Sequence, residues 1–437
     1  MRNIGRAQEE IELLNSQKKL NILAGARVIG CTTSGAVLHK SLLDSVSPGV
    51  VMLEEAAEIM ETLVLTAVPN DCKHLIMIGD HKQLRPKVEH YPLSVESGKG
   101  HDLNCSMFER LARTIKVPTL STQWRMHPEI AMIPKVVTYP SLRNADVTSL
   151  APAIRGIMPC DKGGGRVIFI DHREPEDARD ALAASQAQFS AKTNSHEVGM
   201  VVSTVQYLCQ QGYDKKSMVV LTPYLGQLLM IQNALSKSLE VFVDDVDMNE
   251  ARKLLADVAG FNVGGKSSKP DESVRIATVD NFQGEEADIV IISLVRSNKD
   301  NNIGFVVQPN RVNVMLSRAK HCQIIIGNSE VMQNAKSAHG LDCSGGPLWT
   351  VICEHLVGRK SMFPGLPIQC ATHHNNVKYM TCPDDFKKHC PEGGCSDICG
   401  KKRACGHFCS HHCHPIRKCE SLGKCKAKLE EKCSNIC

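Results

Sequence analysis

Aromatic residues are scarce in this chain. Two Trp, six Tyr and ten Phe among 437 residues make 4%, which argues against a surface that stacks many bases in succession. Long apolar runs are missing too. The longest near the centre, residues 289–292 with Leu294 and Val295 beyond Ser293, is far shorter than the roughly 20 residues of a membrane-crossing helix. No membrane span is expected. The first residues, MRNIGRAQEEIELLNSQKK, lack the apolar centre and small-residue cleavage site of a secretory leader. The expected location is therefore inside the cell, in the cytoplasm or its ribonucleoprotein granules, with the nucleus as the alternative. Nor does the chain as a whole lean strongly to one charge: the formal net charge is +4.

That small excess is unevenly placed. From Cys382 onward there are 11 Lys and Arg against 7 Asp and Glu, and the other 381 residues balance at 40 against 40. Cysteine divides the same way, with 11 of 20 in the last 56 positions. A basic tail suits a polyanion, although solvated lysines give the same bias. Crowded cysteines in a reducing compartment point to metal rather than disulfides. The length allows two or three domains, each with its own core.

The stretch that organises the chain is VVMLEEAAEI, a spacer, then HLIMIGDHKQLRP. Two apolar runs, each ending in acids and separated by one helix, are how a parallel sheet presents carboxylates at its carboxyl edge. Val50–Leu53 is expected as one strand, residues 75–78 as the next and residues 58–67 as the crossover helix. Glu54 and Glu55 then stand together at a strand tip, where one could hold Mg²⁺ through its waters and the other activate a water. The alternative is that they merely begin a helix, where acids favour the macrodipole. Upstream, residues 1–20 read as a charged helix, and ARVIGCTTSGA as a short strand entering a Thr/Ser/Gly loop or turn.

After an irregular stretch at residues 141–165, strands and helices alternate. RVIFIDH, SMVVLTPY, VRIATVDNFQG, ADIVIISLVRS and QIIIGN read as strands, with SHEVGMVVSTVQYLCQQG and LGQLLMIQNALSK as helices. This pattern predicts a second parallel sheet, and with it a cleft lined by the carboxylates and Arg318. PLWTVICEHL is expected as a helix and MFPGLPIQ as a connection. Residues 260–267, GFNVGGKS, match the phosphate-loop expression by letter. Their setting, after helical ARKLLADVA and before SSKPDES, is wrong for it, because a working loop joins a buried strand to a helix N-terminus.

In the tail, Cys395, Cys399, Cys405, His407, Cys409, Cys413, His414 and Cys419 fall within 25 residues. Tetrahedral Zn²⁺ takes four such ligands, and so few apolar residues could not fold the segment otherwise. Spacing does not say which four share an ion. His411 and His412 could substitute, and Cys382 and Cys390 could form a further site.

LEEAAE, GDHKQLRP, QWRMHPEI, LTPYLGQ, TVDNFQGEEADIVIISLVRS and RVNVMLSRAKH, in this order, resemble the motifs of superfamily 1 RNA helicases of the Upf1-like group. PEGGCSDICGKKRACGHFCSHHCHP resembles the repeat of NFX1-type zinc fingers, and the pairing resembles the NFX1-type zinc finger-containing protein 1 family. The resemblance implies an α/β fold of tandem RecA-like parallel-sheet domains. The first, truncated, would occupy residues 1–118 and the second 119–330, with a linker at 331–381 and a zinc-binding tail at 382–437 beyond them. It implies ATP, Mg²⁺ and Zn²⁺ as cofactors, single-stranded or structured RNA as partner, and protein partners through the tail. It assigns Mg²⁺ to Glu54 and the attacking water to Glu55. Asp80 and Gln83 would sense the γ-phosphate, and Arg125 and Arg318 would supply charge to the transition state. Tyr224 would stack on adenine, and Gln283, Gly284 and Glu286 would couple nucleotide to RNA, with Glu286 near the ribose. For the family it implies roles in RNA surveillance, silencing or antiviral sensing. The family's phosphate loop belongs upstream of residue 27, so this chain is expected to be a fragment without hydrolysis. Two other classes stay open: a non-catalytic RNA-binding scaffold, and a zinc-dependent protein-interaction or ubiquitin-ligase module.

Overall fold

The computed structural model describes residues 14–15, 17–158, 165–178, 192–255, 272–335, 345–374, 376–416 and 418–422. The phosphate-loop look-alike at 260–267 and most of the charged helix expected at 1–20 lie outside them. The chain divides into two units, residues 1–119 and 120–437.

In the first unit, β1 (Val50–Leu53) pairs in parallel with β2 (His74–Met77), with Val50 opposite His74 and Leu53 opposite Met77. The crossover helix is Glu61–Ala67. Leu53, Ala56, Ala57 and Val64 pack with Met107 and Phe108. The last two are delivered by the helix Met107–Ala112, whose Ser106 cap accepts the Glu109 N–H at 3.0 Å. The strand expected within ARVIGCTTSGA is not formed. Thr32 instead caps the helix Thr33–Leu38, accepting the Gly35 N–H at 3.0 Å, because its hydroxyl serves a helix start better than a three-residue apolar run serves a ladder.

Arg85 ties the loop after β2 to the helix Met107–Ala112. Its Nε and Nη2 donate to the two oxygens of Glu109, each at 2.9 Å, and its Nη1 to Glu96 at 3.2 Å. Burial pushes both carboxyls up, but the hydrogen bonds and guanidinium charge outweigh it and leave Glu96 and Glu109 below the usual range. Their folded values lie below the unfolded ones, so their stabilisation is complete above about pH 4.3, the unfolded Glu value, and is lost as pH falls toward the folded values. Amide protection over residues 85–113 is expected to drop on acidification through that window, and to drop less in Arg85→Met. Equal acid sensitivity in the two would sink this account.

The second unit is built on a seven-stranded, wholly parallel sheet. Beyond the two-residue pair β3 (Thr122–Gln123) and β4 (Arg143–Asn144), its strands are β5 (Val167–Asp171), β6 (Met218–Thr222), β7 (Val241–Val243), β8 (Val274–Thr278), β9 (Ala287–Ser293), β10 (Ala319–Gly327) and β11 (Met362–Phe363). Their order is β11-β5-β10-β9-β6-β8-β7. The central strands are buried along almost their whole length, as unbroken apolar runs between two helical layers must be. The helices Ser195–Gln210 and Leu225–Leu235 fill the main core.

Of residues 331–381, expected as a linker, those the structure describes are largely folded against the second unit. The helix Gly345–Gly358 leads to edge strand β11, and MFPGLPIQ supplies both β11 and β12 (Leu366–Gln369), which pairs antiparallel with β13 (Val377–Met380). Pro364 and Pro367 hide these short strands in the sequence, since proline is tolerated at sheet edges. The tail begins with the helix Pro383–His389, whose Phe386 meets Tyr207 edge-on at 6.0 Å.

Candidate functional site

The carboxyl ends of β1 and β2 are stitched one residue beyond the ladder: Ile78 N–H donates to Leu53 and Ala56 N–H to Ile78, both at 2.8 Å. Gly79 makes this possible, since a Cβ there would lie 2.8 Å from Ala57 N and 3.1 Å from Ala56 N. Four expected site residues thereby come to one edge. Glu54 is exposed and Glu55 half-buried with a left-handed φ of 50°, an uncommon state for a residue with a Cβ. Asp80 accepts the Lys82 N–H at 2.9 Å and the Gln83 Nε2 at 3.4 Å. The acids are not the start of a helix, because the helix begins at Glu61, and Glu61 is engaged by Arg110.

In the second unit the expected residues separate. Arg125, Glu286 and Arg318 gather at the amino ends of β9 and β10. Arg125 Nε donates to Glu286 at 2.5 Å and its Nη1 to the Ser317 carbonyl at 3.2 Å, while Lys320 holds the other Glu286 oxygen at 2.8 Å. Burial raises the Glu286 carboxyl, and the bonds from Lys320 and Arg125 more than offset it, keeping it below its usual range. Arg318, 1% exposed, donates to the Val314 carbonyl at 2.9 Å and the Glu285 carbonyl at 3.3 Å. Trp124, beside Arg125, is 72% exposed.

Tyr224 lies elsewhere. It comes just after β6 at the carboxyl edge, level with the far end of β9, and the six steps from Ala287 to Ser293 span roughly 20 Å. Its ring is 1% exposed, closed in by Phe305 at 5.5 Å and the Arg296 guanidinium at 6.0 Å, and its hydroxyl donates to the Ile303 carbonyl at 3.0 Å. Stacking on the adenine of a nucleotide whose ribose lies near Glu286 does not fit this geometry; the sealed ring presents no face to a base. Gln283 and Gly284 lie on the loop that descends from β8 to β9. Among the described residues the buried Gln283 Oε1 has no hydrogen-bond partner, and Gly284 is exposed at φ 77°. Asp247, fully buried, fixes the start of that loop by accepting the Thr278 hydroxyl at 2.6 Å and Asn281 at 3.2 Å.

The tail brings its ligand atoms into two groups, Cys370, His373, Cys395 and Cys413 in one, and Cys399, Cys409, His414 and Cys419 in the other. Within each, all four atoms lie within 4.8 Å of one another. Zn–S bonds of about 2.3 Å in a tetrahedron put sulfurs about 3.8 Å apart. The separations here are 3.5 Å for Cys370 to Cys413, 3.8 Å for Cys399 to Cys419 and 3.5 Å for Cys409 to His414. The donor sets fit Zn²⁺. Six of the eight tail residues expected from the sequence are in these groups; Cys405 and His407 are in neither. Cys370 and His373 are additions to the expected set, although Cys370-Ala-Thr-His373 is itself a half-site spacing.

A family model described as an AAA domain matches residues 103–330, and another with the same description matches residues 1–89. NFX1-type zinc finger-containing protein 1 of Mus musculus is 32% identical to this chain over 98% of it and 20% of its own length. Helicase required for RNAi-mediated heterochromatin assembly 1 of Schizosaccharomyces pombe is 32% identical, with 78% of this chain and 29% of its own length covered. Regulator of nonsense transcripts 1 of Caenorhabditis elegans is 28% identical over 80% of this chain and 28% of its own length. The chain thus spans less than a third of the length of each.

Proposed function

Because this chain belongs to the Upf1-like helicase family, we propose that it is motor-core sequence of an ATP-dependent RNA helicase with an NFX1-type zinc tail, serving RNA surveillance, silencing or antiviral sensing. The observation that carries the reading is the assembly of Glu54, Glu55, Asp80 and Gln83 on one strand edge behind Gly79. That edge offers what nucleotide hydrolysis needs, a carboxylate for hydrated Mg²⁺ and another for the attacking water. In the second unit Arg125 and Arg318 are the residues to which the family resemblance gives the positive charge. Arg125 must leave Glu286 to meet a phosphate, so the ion pair holds the guanidinium close to its working position. Glu286, once released, is free to accept from a ribose hydroxyl, and Gln283 and Gly284 on the neighbouring loop link nucleotide to RNA.

A single-stranded nucleic acid is favoured as the polymer by the charge of the tail and by one hairpin in it, and the family resemblance makes RNA the strand to test. Phe408 is 71% exposed and pairs across from Lys402, with Lys401 exposed beside them. An exposed ring flanked by lysines suits one unpaired base and its phosphates. Phe408→Ala is expected to weaken binding of a labelled single-stranded RNA by about 1–3 kcal/mol, roughly five- to 150-fold in Kd. Lys402→Gln should act uniformly across sequences and lower the salt slope by about 1. Unchanged anisotropy titrations would remove the tail from the RNA site.

A second reading, an RNA-binding scaffold without turnover, is favoured by the sealed Tyr224 ring and the buried Arg318. RNA-stimulated ATP hydrolysis that disappears in Glu55→Gln supports the motor. RNA affinity indifferent to ATP, with no hydrolysis, supports the scaffold.

A further inference from the structure

The two tail clusters interleave along the chain. Cys395 and Cys413 go to one, while Cys399 and Cys409 between them, and His414 and Cys419 beyond, go to the other. Neighbouring residues Cys413 and His414 therefore serve different centres. The first cluster is also unlike the second in where its ligands come from. Cys370 comes directly after β12, and His373 stands in the turn before β13. That hairpin belongs to the body of the second unit: Leu366, Ile368 and Met380 are in its main core, and the hairpin is bonded to the segment before β5 through Met158 N–H to the Pro367 carbonyl and Gln369 N–H to the Gly156 carbonyl, both at 3.1 Å.

We propose that Cys370 and His373 bind a zinc ion jointly with Cys395 and Cys413, and that this ion fastens the zinc tail to the parallel-sheet body of the second unit. The proposal deepens the zinc reading given above and rests on it. Three observations argue against a mere packing of thiols. The His373 Nδ1 stands 3.1 Å from Cys395 Sγ and 3.7 Å from Cys370 Sγ, so an imidazole nitrogen converges with three sulfurs rather than turning to solvent. The His373 backbone N–H points at Cys370 Sγ at 3.4 Å, so the turn that carries both residues holds this sulfur toward the cluster. The backbone of the other half-site is drawn tight: Gly394 N–H donates to the Cys413 carbonyl at 2.9 Å, and a Cβ on Gly394 would lie 2.3 Å from that oxygen. Only glycine lets Cys395 and Cys413 face the hairpin together.

The surroundings show what the ion adds. On the tail side of the seam, the Gln211 amide donates to the Gly393 carbonyl at 2.6 Å, and Phe386 rests on Tyr207. Past Gly394 the described residues of the tail supply almost no aliphatic side chains to the interior; the buried ones there are mostly the ligands themselves. Metal coordination is then the principal force holding residues 395–419 in place. With the seam fastened, the Phe408 hairpin is carried rigidly by the second unit instead of trailing from it.

The test is zinc content per chain, measured on the full chain by native mass spectrometry and elemental analysis. The double variant Cys370→Ser with His373→Ala is expected to hold one zinc fewer than the wild type and to gain protease cleavage within residues 391–422. Cys405→Ser should keep the wild-type content. His373→Cys, which preserves four ligands, should keep the metal, and with cobalt in place of zinc its thiolate charge-transfer absorption should rise by the share of one sulfur. A double variant that keeps all its zinc, or a His373→Cys spectrum identical to wild type, overturns the proposal and leaves the zinc tail intact. A wild-type chain that holds no zinc overturns both.

Discussion

Glu197→Ala is expected to destabilise the second unit by about 3–5 kcal/mol, because it leaves several buried hydrogen-bonding groups unpaired at once, each at a cost of about 1–3 kcal/mol. Glu197 is wholly buried in the first turn of the helix Ser195–Gln210. Its carboxylate accepts the Val295 N–H at 2.9 and 3.0 Å and the Ser293 hydroxyl at 2.6 Å, and faces His172 Nε2 at 3.1 Å. Val295 has φ 72°, a strained state for a β-branched residue that persists only when its surroundings over-determine it. The two bonds to Glu197 are that constraint. They turn the chain after β9 so that Arg296 reaches Glu176 at 2.8 Å and lies over Tyr224. In Glu197→Ala the Val295 N–H is left buried and unpaired and the turn relaxes. Glu197→Gln keeps one acceptor oxygen but sets an amide NH₂ against the donors, so its loss should be smaller. Urea unfolding tracked by the buried Trp349 measures both; a loss under about 1 kcal/mol in the alanine variant would show that the turn supports itself.

This network also marks the limit of what the sequence discloses. RVIFID, MVVLT, VRIAT, ADIVIIS and QIIIG are legible as strands because a strand covered on both faces is an unbroken apolar run. The order of acids and glycines discloses the first unit's edge as well, since Gly79 and Asp80 come just after a strand. Glu197, by contrast, reads as one more acid at a helix start. Ser293 and Val295 reach it from 96 and 98 positions away, and no local pattern announces that meeting. The splitting of Tyr224 from Arg125 and Glu286 is hidden for a related reason. Motif order says nothing of whether a residue lies before or after its strand in space, and in a parallel sheet that difference is the full strand length. Cys370 and His373 escape notice because they lie among strand residues, away from the cysteine-rich tail, while the two-residue β11 and proline-flanked β12 are too short for a period to show.

Trp349→Ala is expected to cost a further large amount, about 3–5 kcal/mol, as emptying a buried indole site does. Trp349 is 0% exposed, and its Nε1–H donates to the Val306 carbonyl at 2.9 Å. On the same helix Ile352, Cys353 and Leu356 are buried, so this helix is docked along one whole face. The placement of the helix sets that of the edge strand after it. Ser361 N–H returns to the Leu356 carbonyl at 2.9 Å, Phe169 N–H donates to Ser361 at 2.8 Å, and Met362 and Phe363 then pair with Phe169 and Ile170 of β5. The edge strand leads on to the β12–β13 hairpin that carries Cys370 and His373. Loss of the indole should therefore loosen the sheet edge and the zinc seam together. Amide exchange over residues 361–380 should accelerate along with that of 345–358. Trp349→Phe, which keeps most of the volume but leaves the Val306 carbonyl unpaired, should lose only about 1–3 kcal/mol. If exchange rises in the helix alone and the hairpin stays protected, the hairpin is held by its own contacts with the segment before β5, and the helix is a separate attachment to the sheet.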